Sequence, residues 1–165
     1  MRSTGLFFGM LVTGLLSFAT TANEVEFKVQ DTDAQDTNCE VRLEANDRMQ
    51  FVQKQLFVNS TCETVTVLLQ HIGKLPVTAM GHNVVVALAS DMQGIAADSF
   101  KAGVANHYVT PGDERVIAVS KVIGGGETTR VSFAVAKLDP AQRYVFFCAA
   151  PGHWVMMKGE LVISR

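Results

Sequence analysis

The chain has 165 residues, 48% of them hydrophobic and 18% charged, with 16 acidic side chains against 14 basic ones. That is enough for one domain with a sizeable core. A formal net charge of −2 gives no basic footprint for gripping nucleic acid or an anionic membrane, while leaving small redox proteins and other weakly charged partners open.

Residues 1–22 have the layout of a secretory signal peptide: Arg2 is the single charge before Glu24, Gly5 to Ala19 is mostly apolar, and small residues follow to Ala22. A transmembrane anchor is the alternative, but the apolar run is short for a span and is interrupted by Gly9, Thr13 and Gly14. Cleavage is expected after Ala22, with Ala19 as the other choice, and export to the periplasm with no membrane anchor left behind. Losing Arg2 takes the basic residues to 13 against 16 acidic ones, a net charge of −3. Residues 23–38 carry Glu24, Glu26, Asp31, Asp33 and Asp36 with little apolar content, and are expected to form an acidic flexible extension.

Residues 39–165 read as one unit without linker, repeat or low-complexity tract. Strand-like segments run over Cys39 to Glu44, Phe51 to Val58, Glu63 to Leu68, Asn83 to Leu88, Arg115 to Val122, Arg130 to Val135, Tyr144 to Cys148 and Glu160 to Ile163. The Asn83 to Leu88 run is nearly continuous in apolar residues, as a strand buried on both faces requires. Turn signals stand at Asn59-Ser60, Pro111-Gly112-Asp113, Gly124-Gly125-Gly126 and Asp139-Pro140. Ser90 to Ala105 departs from this pattern and is expected to insert one or two short helices. The predicted fold is all-β, a Greek-key β-sandwich of about eight strands with a short helical insertion.

The chemistry concentrates near the C-terminus, where Cys148, His153 and Met157 follow one another as Cys-x4-His-x3-Met, with a second imidazole, His82, far upstream. Pro151 and Gly152 allow the tight reversal that would return His153 beside Cys148. Two His, one Cys and a weak axial Met are the donors of a blue-copper electron-transfer centre. Two His and one Cys with an open position would also suit zinc; the thioether favours copper. Taken singly, each donor has a plainer reading, as a structural thiol, a core methionine or a surface imidazole. With Cys148 assigned to the metal, Cys39 and Cys62 remain to pair in an oxidising compartment, the alternative being two free thiols. Such a bridge would contribute about 3 kcal/mol in the chain-entropy model.

These motifs, with Asn46 to Phe51, Leu75-Pro76, Met80 to Asn83, Asp91 to Gly94, Arg115 to Ala118 and Phe146 to Gly159, resemble the azurin family of bacterial blue-copper proteins, in the cupredoxin superfamily. The resemblance covers the whole predicted domain. It implies a single type 1 copper held by His82, Cys148 and His153, with Met157 as a long axial sulfur and the Gly81 carbonyl as a weak contact opposite. It further implies Asn83 as a tie between the two ligand-bearing segments, the Cys39–Cys62 disulfide, and His71 as a histidine beside the copper site that can titrate; on the residues alone a satisfied, partly buried histidine fits His71 better. His107 has no part in the motif and is expected in a loop. The expected function is a non-enzymatic electron carrier cycling Cu(I)/Cu(II) between redox proteins, with no small-molecule substrate. A copper-buffering protein is the alternative. Docking would use an apolar patch around His153 at positions similar to the family's: Met49, Leu75, Ala79, Met80, Phe100, Ala150 and Met156. Trp154 would either join that patch or pack on the sandwich.

Overall fold

The computed structural model describes residues 39–164; the signal segment and the acidic extension lie outside them. Nine strands form two sheets: β1 (Glu40–Asn46), β2 (Gln50–Phe51), β3 (Gln55–Asn59), β4 (Thr64–His71), β5 (Val85–Leu88), β6 (Val116–Val119), β7 (Thr128–Ala134), β8 (Tyr144–Phe147) and β9 (Lys158–Ser164). One sheet runs β2-β1-β4-β7 and the other β3-β9-β8-β5-β6. The β1–β4 and β3–β9 pairs are parallel and the rest antiparallel. Two helices, α1 (Val77–Met80) and α2 (Met92–Ala102), lie in the connections flanking β5.

Alternation drives the packing. In β4, Val65, Val67, Leu69 and His71 are buried, as are Leu43 and Ala45 on β1. They meet Val84, Val86, Phe146 and Leu161 from the opposite sheet in the main core, where Phe51 and Phe146 pack with ring centroids 5.6 Å apart. β5 is buried on both faces because Val84 and Val86 point into this core while Val85 and Ala87 pack under α2 against Ile95 and Ala96. This is why its sequence is continuously apolar.

Two differences from the sequence reading have identifiable physical causes. Phe51 to Val58 is two strands, since β2 pairs with β1 and β3 with β9, and the chain crosses between sheets at residues 52–54. The short helix α1 was not expected; it follows Pro76, whose φ of −66° suits the entry to a helix. The helical insertion is α2 followed by a 3-10 turn, Val104–Asn106, with Gly103 at φ +72° between them. Cys39 and Cys62 are bonded, their Cα atoms 5.9 Å apart. They stand just before the parallel neighbours β1 and β4, so the bridge staples two strand starts that already share a ladder. The opposite end of these strands leads to the metal-donor residues.

Candidate metal centre

Each donor is placed by backbone hydrogen bonds. His82 exchanges both with Ile123, at 2.9 and 2.8 Å. A Cβ on the preceding Gly81 would lie 2.5 Å from the Val77 carbonyl and 2.8 Å from Val122 Cγ1, so only glycine lets the chain pass there without displacing its neighbours. Cys148 follows β8, its N–H donating to the Met157 carbonyl at 3.0 Å. Between them Ala150-Pro151-Gly152-His153 forms a type II turn: His153 N–H donates to Ala150 O at 2.9 Å, with Gly152 at φ +82° and ψ −18°. A 3-10 turn over His153–Val155 then lets Met156 and Met157 N–H both reach the His153 carbonyl, at 3.0 and 2.8 Å. Met157 is fully buried beside Cys148.

The result is a triangle of electron-pair donors. His82 Nδ1 and His153 Nδ1 are 3.3 Å apart; Cys148 Sγ is 3.9 Å from the first and 3.6 Å from the second. A first-row ion bonded at about 2.05 Å to nitrogen and about 2.3 Å to sulfur would separate trigonal ligands by about 3.6 Å (N to N) and about 3.8 Å (S to N). The observed spacing fits such an ion with shifts of a few tenths of an ångström. Among the described residues this is the group of His, Cys and carboxylate donors that converges in this way.

The surroundings prepare these atoms for a cation. His82 Nε2 lies 3.0 Å from the Asn46 carbonyl. A carbonyl only accepts, so Nε2 carries the proton and the Nδ1 lone pair faces the triangle. On the far face of His82 the His71 ring stacks at 4.7 Å and 20°. His71 is itself buried and satisfied, its Nε2 donating to the Met80 carbonyl at 2.9 Å and its Nδ1 accepting from Gly73 N–H at 3.0 Å. Burial holds the His82 pKa down to about 4 and lowers that of His153, so both are neutral ligands near neutral pH. Burial pushes the Cys148 thiol up to about 11, against the backbone N–H groups of Asn83 and Ala150. Metal uptake must therefore release its proton.

Asn83 bridges three segments: its Oδ1 accepts from Ala149 N–H at 2.8 Å and its Nδ2 donates to the His107 carbonyl at 2.7 Å. His107 and Tyr108 both have positive φ, at 54° and 59°. The contributions of Asn46 and His107 had no signal in the sequence, because each acts through a carbonyl that every residue possesses.

Of the residues expected around His153, Phe100 is 84% exposed, Met156 60%, Leu75 41% and Met49 38%, while Met80 is half-buried. Val155, at 54%, is a further exposed side chain in the ligand loop. Ala150 is buried and offers no docking surface. Trp154 packs at the edge of the core beneath α2, with Lys158 Nζ 5.6 Å from its ring centroid.

A β-sandwich holding two neutral imidazoles, a thiol and a buried thioether at one end defines a type 1 copper protein, a class of one-electron carriers rather than enzymes. The comparisons agree. A model of the copper binding proteins of the plastocyanin/azurin family matches residues 37–164. Azurin from Alcaligenes faecalis is 54% identical over 126 residues, which are 76% of this chain and 98% of that protein. Azurin from Achromobacter denitrificans is 51% identical over 127 residues, 77% of this chain and 85% of the relative. The solved azurin Az-iso2 from Methylomonas sp. strain J is 41% identical with a TM-score of 0.75, over 77% of this chain and 98% of that one. The chain belongs to the plastocyanin/azurin family of copper-binding proteins, and its type 1 site is His82, Cys148, His153 and Met157.

Proposed function

We propose that this electron carrier works in the periplasm, exchanging electrons with redox proteins through an apolar patch around His153. The observation that carries the reading is an asymmetry among the ligands: His82, Cys148 and Met157 are sealed from solvent while His153 is partly exposed. Bound copper supplies a Cu(I)/Cu(II) one-electron couple. Asn46 and His71 hold the His82 ring, Asn83 ties its segment to Ala149, and the Ala150–His153 turn fixes the second imidazole, so little has to move when the charge changes. Met49, Leu75, Met80, Phe100, Trp154 and Met156 form the proposed docking surface, Met49, Leu75, Phe100 and Met156 exposed and Met80 and Trp154 half-buried; an apolar patch near one ligand is a partner signal. The Gly81 carbonyl is the proposed weak contact opposite Met157. Residues 1–22 are the proposed export signal, 23–38 the acidic extension and 39–165 the copper domain.

The test is to load the processed protein with Cu(II), record its visible spectrum, and follow with cyclic voltammetry. An intense blue charge-transfer band and a reversible one-electron couple are expected. A colourless complex, or an irreversible couple, would instead support copper buffering.

A further inference from the structure

Resting on that electron-port reading, we propose that the rim of the copper end is a positively charged collar, and that the partner it fits is a redox protein with acidic side chains around its own redox centre. Four segments frame the donors: the turn 46–49, the loop 72–84, the loop 120–127 and the ligand stretch 148–158. Their charged residues are Arg48, Lys74, Lys121 and Lys158 on one side and Asp47 and Glu127 on the other. All four cations are exposed. Each is tied to the site by its neighbours. Arg48 is two residues from the carbonyl that orients His82, and Lys74 N–H is held by Asp47 at 2.8 Å. Lys121 precedes Val122, which touches Gly81, and Lys158 follows Met157 and lies over Trp154.

Both carboxylates are engaged inward. Asp47 accepts the N–H groups of Lys74 and Leu75, and Glu127 Oε2 accepts Gly124 N–H at 2.7 Å. The α2 helix, which carries Phe100, adds Asp98 and Lys101 of opposite sign, which offset each other. The collar therefore has two positive charges in excess, in a chain whose formal total is −2. The local and global charges have opposite sign, which makes them separable. At about 0.1 M salt the screening length is about 10 Å, so an approaching partner feels the collar more than the distant carboxylates. Opposite charge around a docking site raises the association rate and selects partners.

The experiment uses the reduced, copper-loaded protein and two small oxidants, anionic hexacyanoferrate(III) and cationic tris(phenanthroline)cobalt(III). One electron passes to the oxidant in each case, giving hexacyanoferrate(II) or the cobalt(II) complex, with no bond made or broken. Between about 0.05 and 0.2 M ionic strength, where the screening length shortens toward about 8 Å and below, the anion's rate constant should fall severalfold and the cation's should rise. Arg48→Glu with Lys74→Glu should invert both trends. Lys137→Glu, at the disulfide end beyond β7, should leave both signs unchanged. The opposite salt dependence in the unaltered protein, or an equal response to Lys137→Glu, would overturn the proposal.

A second arm needs no copper: titrating the metal-free protein with an oligo-aspartate peptide should move the amide resonances of residues 48, 74, 121 and 158. Movement centred on Arg130, Lys137 and Arg143 would overturn the collar. Should the loaded protein lack a reversible couple, the port itself fails, and the peptide arm still decides the sign of the rim.

Discussion

The two ligand imidazoles sit in contrasting settings. His82 is fully buried, clamped between a carbonyl and a stacked ring, and carried by a segment paired with Ile123. His153 is partly exposed, carried by a turn, and holds no such brace. One imidazole belongs to the scaffold and the other to the surface. A carrier needs both: a fixed arm that keeps the coordination the same in two oxidation states, and an open one through which an electron can leave.

Substitutions can break or sharpen this contrast. The largest effect falls on the shared anchor: Cys148→Ser should abolish the blue absorption altogether, measured on Cu(II)-loaded protein. A retained intense band would mean that the thiolate is not a ligand. Next comes the contrast itself, measured by denaturant unfolding of the metal-free protein. His82→Ala leaves a buried void and an unpaired Asn46 carbonyl, and should cost about 2–4 kcal/mol. His153→Ala should cost less than about 1 kcal/mol, as expected near the surface. Equal costs would dissolve the distinction. Asn83→Ala strands the Ala149 N–H and the His107 carbonyl, and should cost about 1–3 kcal/mol while weakening copper retention in competition with a chelator.

The remaining effect is pH-dependent. Burial keeps the folded-state pKa of His82 near 4, below its ordinary value of 6.5, and shifts His153 the same way. Between those limits the unfolded chain binds protons that the folded, metal-free chain refuses, so stability should be level above pH 6.5 and fall as pH drops toward 4. The melting temperature of metal-free protein across that window checks the sign, and a rise on acidification would contradict it. Copper affinity should strengthen with rising pH through neutrality, because Cys148, protonated up to about pH 11, must release its proton.

The metal donors were legible because they differ in chemistry and because three of them lie within ten residues, around a Pro-Gly turn that has one compact geometry. The sandwich was legible through alternation, and β5 through its unbroken apolar run, which turned out to report the helix lying over it. What escaped has a common cause. The division of Phe51 to Val58 depends on which distant strand each half joins, and β9 pairing begins about a hundred residues later. The clamp on His82 uses a main-chain oxygen at Asn46, and the stacking of His71 on His82 joins different elements, so only the family resemblance, not the residues themselves, put His71 beside the site. Side-chain type marks none of these. Ala150 matches a rim position of the family by its place in the sequence, yet its side chain packs into the main core.

Trp154 is the single tryptophan of the chain, and it immediately follows His153. Tryptophan emission from this protein therefore originates one residue from a ligand. A blue, oxidised centre at that distance should extinguish it by energy or electron transfer, while the metal-free form should stay bright. The molecule thus contains its own label-free gauge of loading, against which every titration described above can be calibrated.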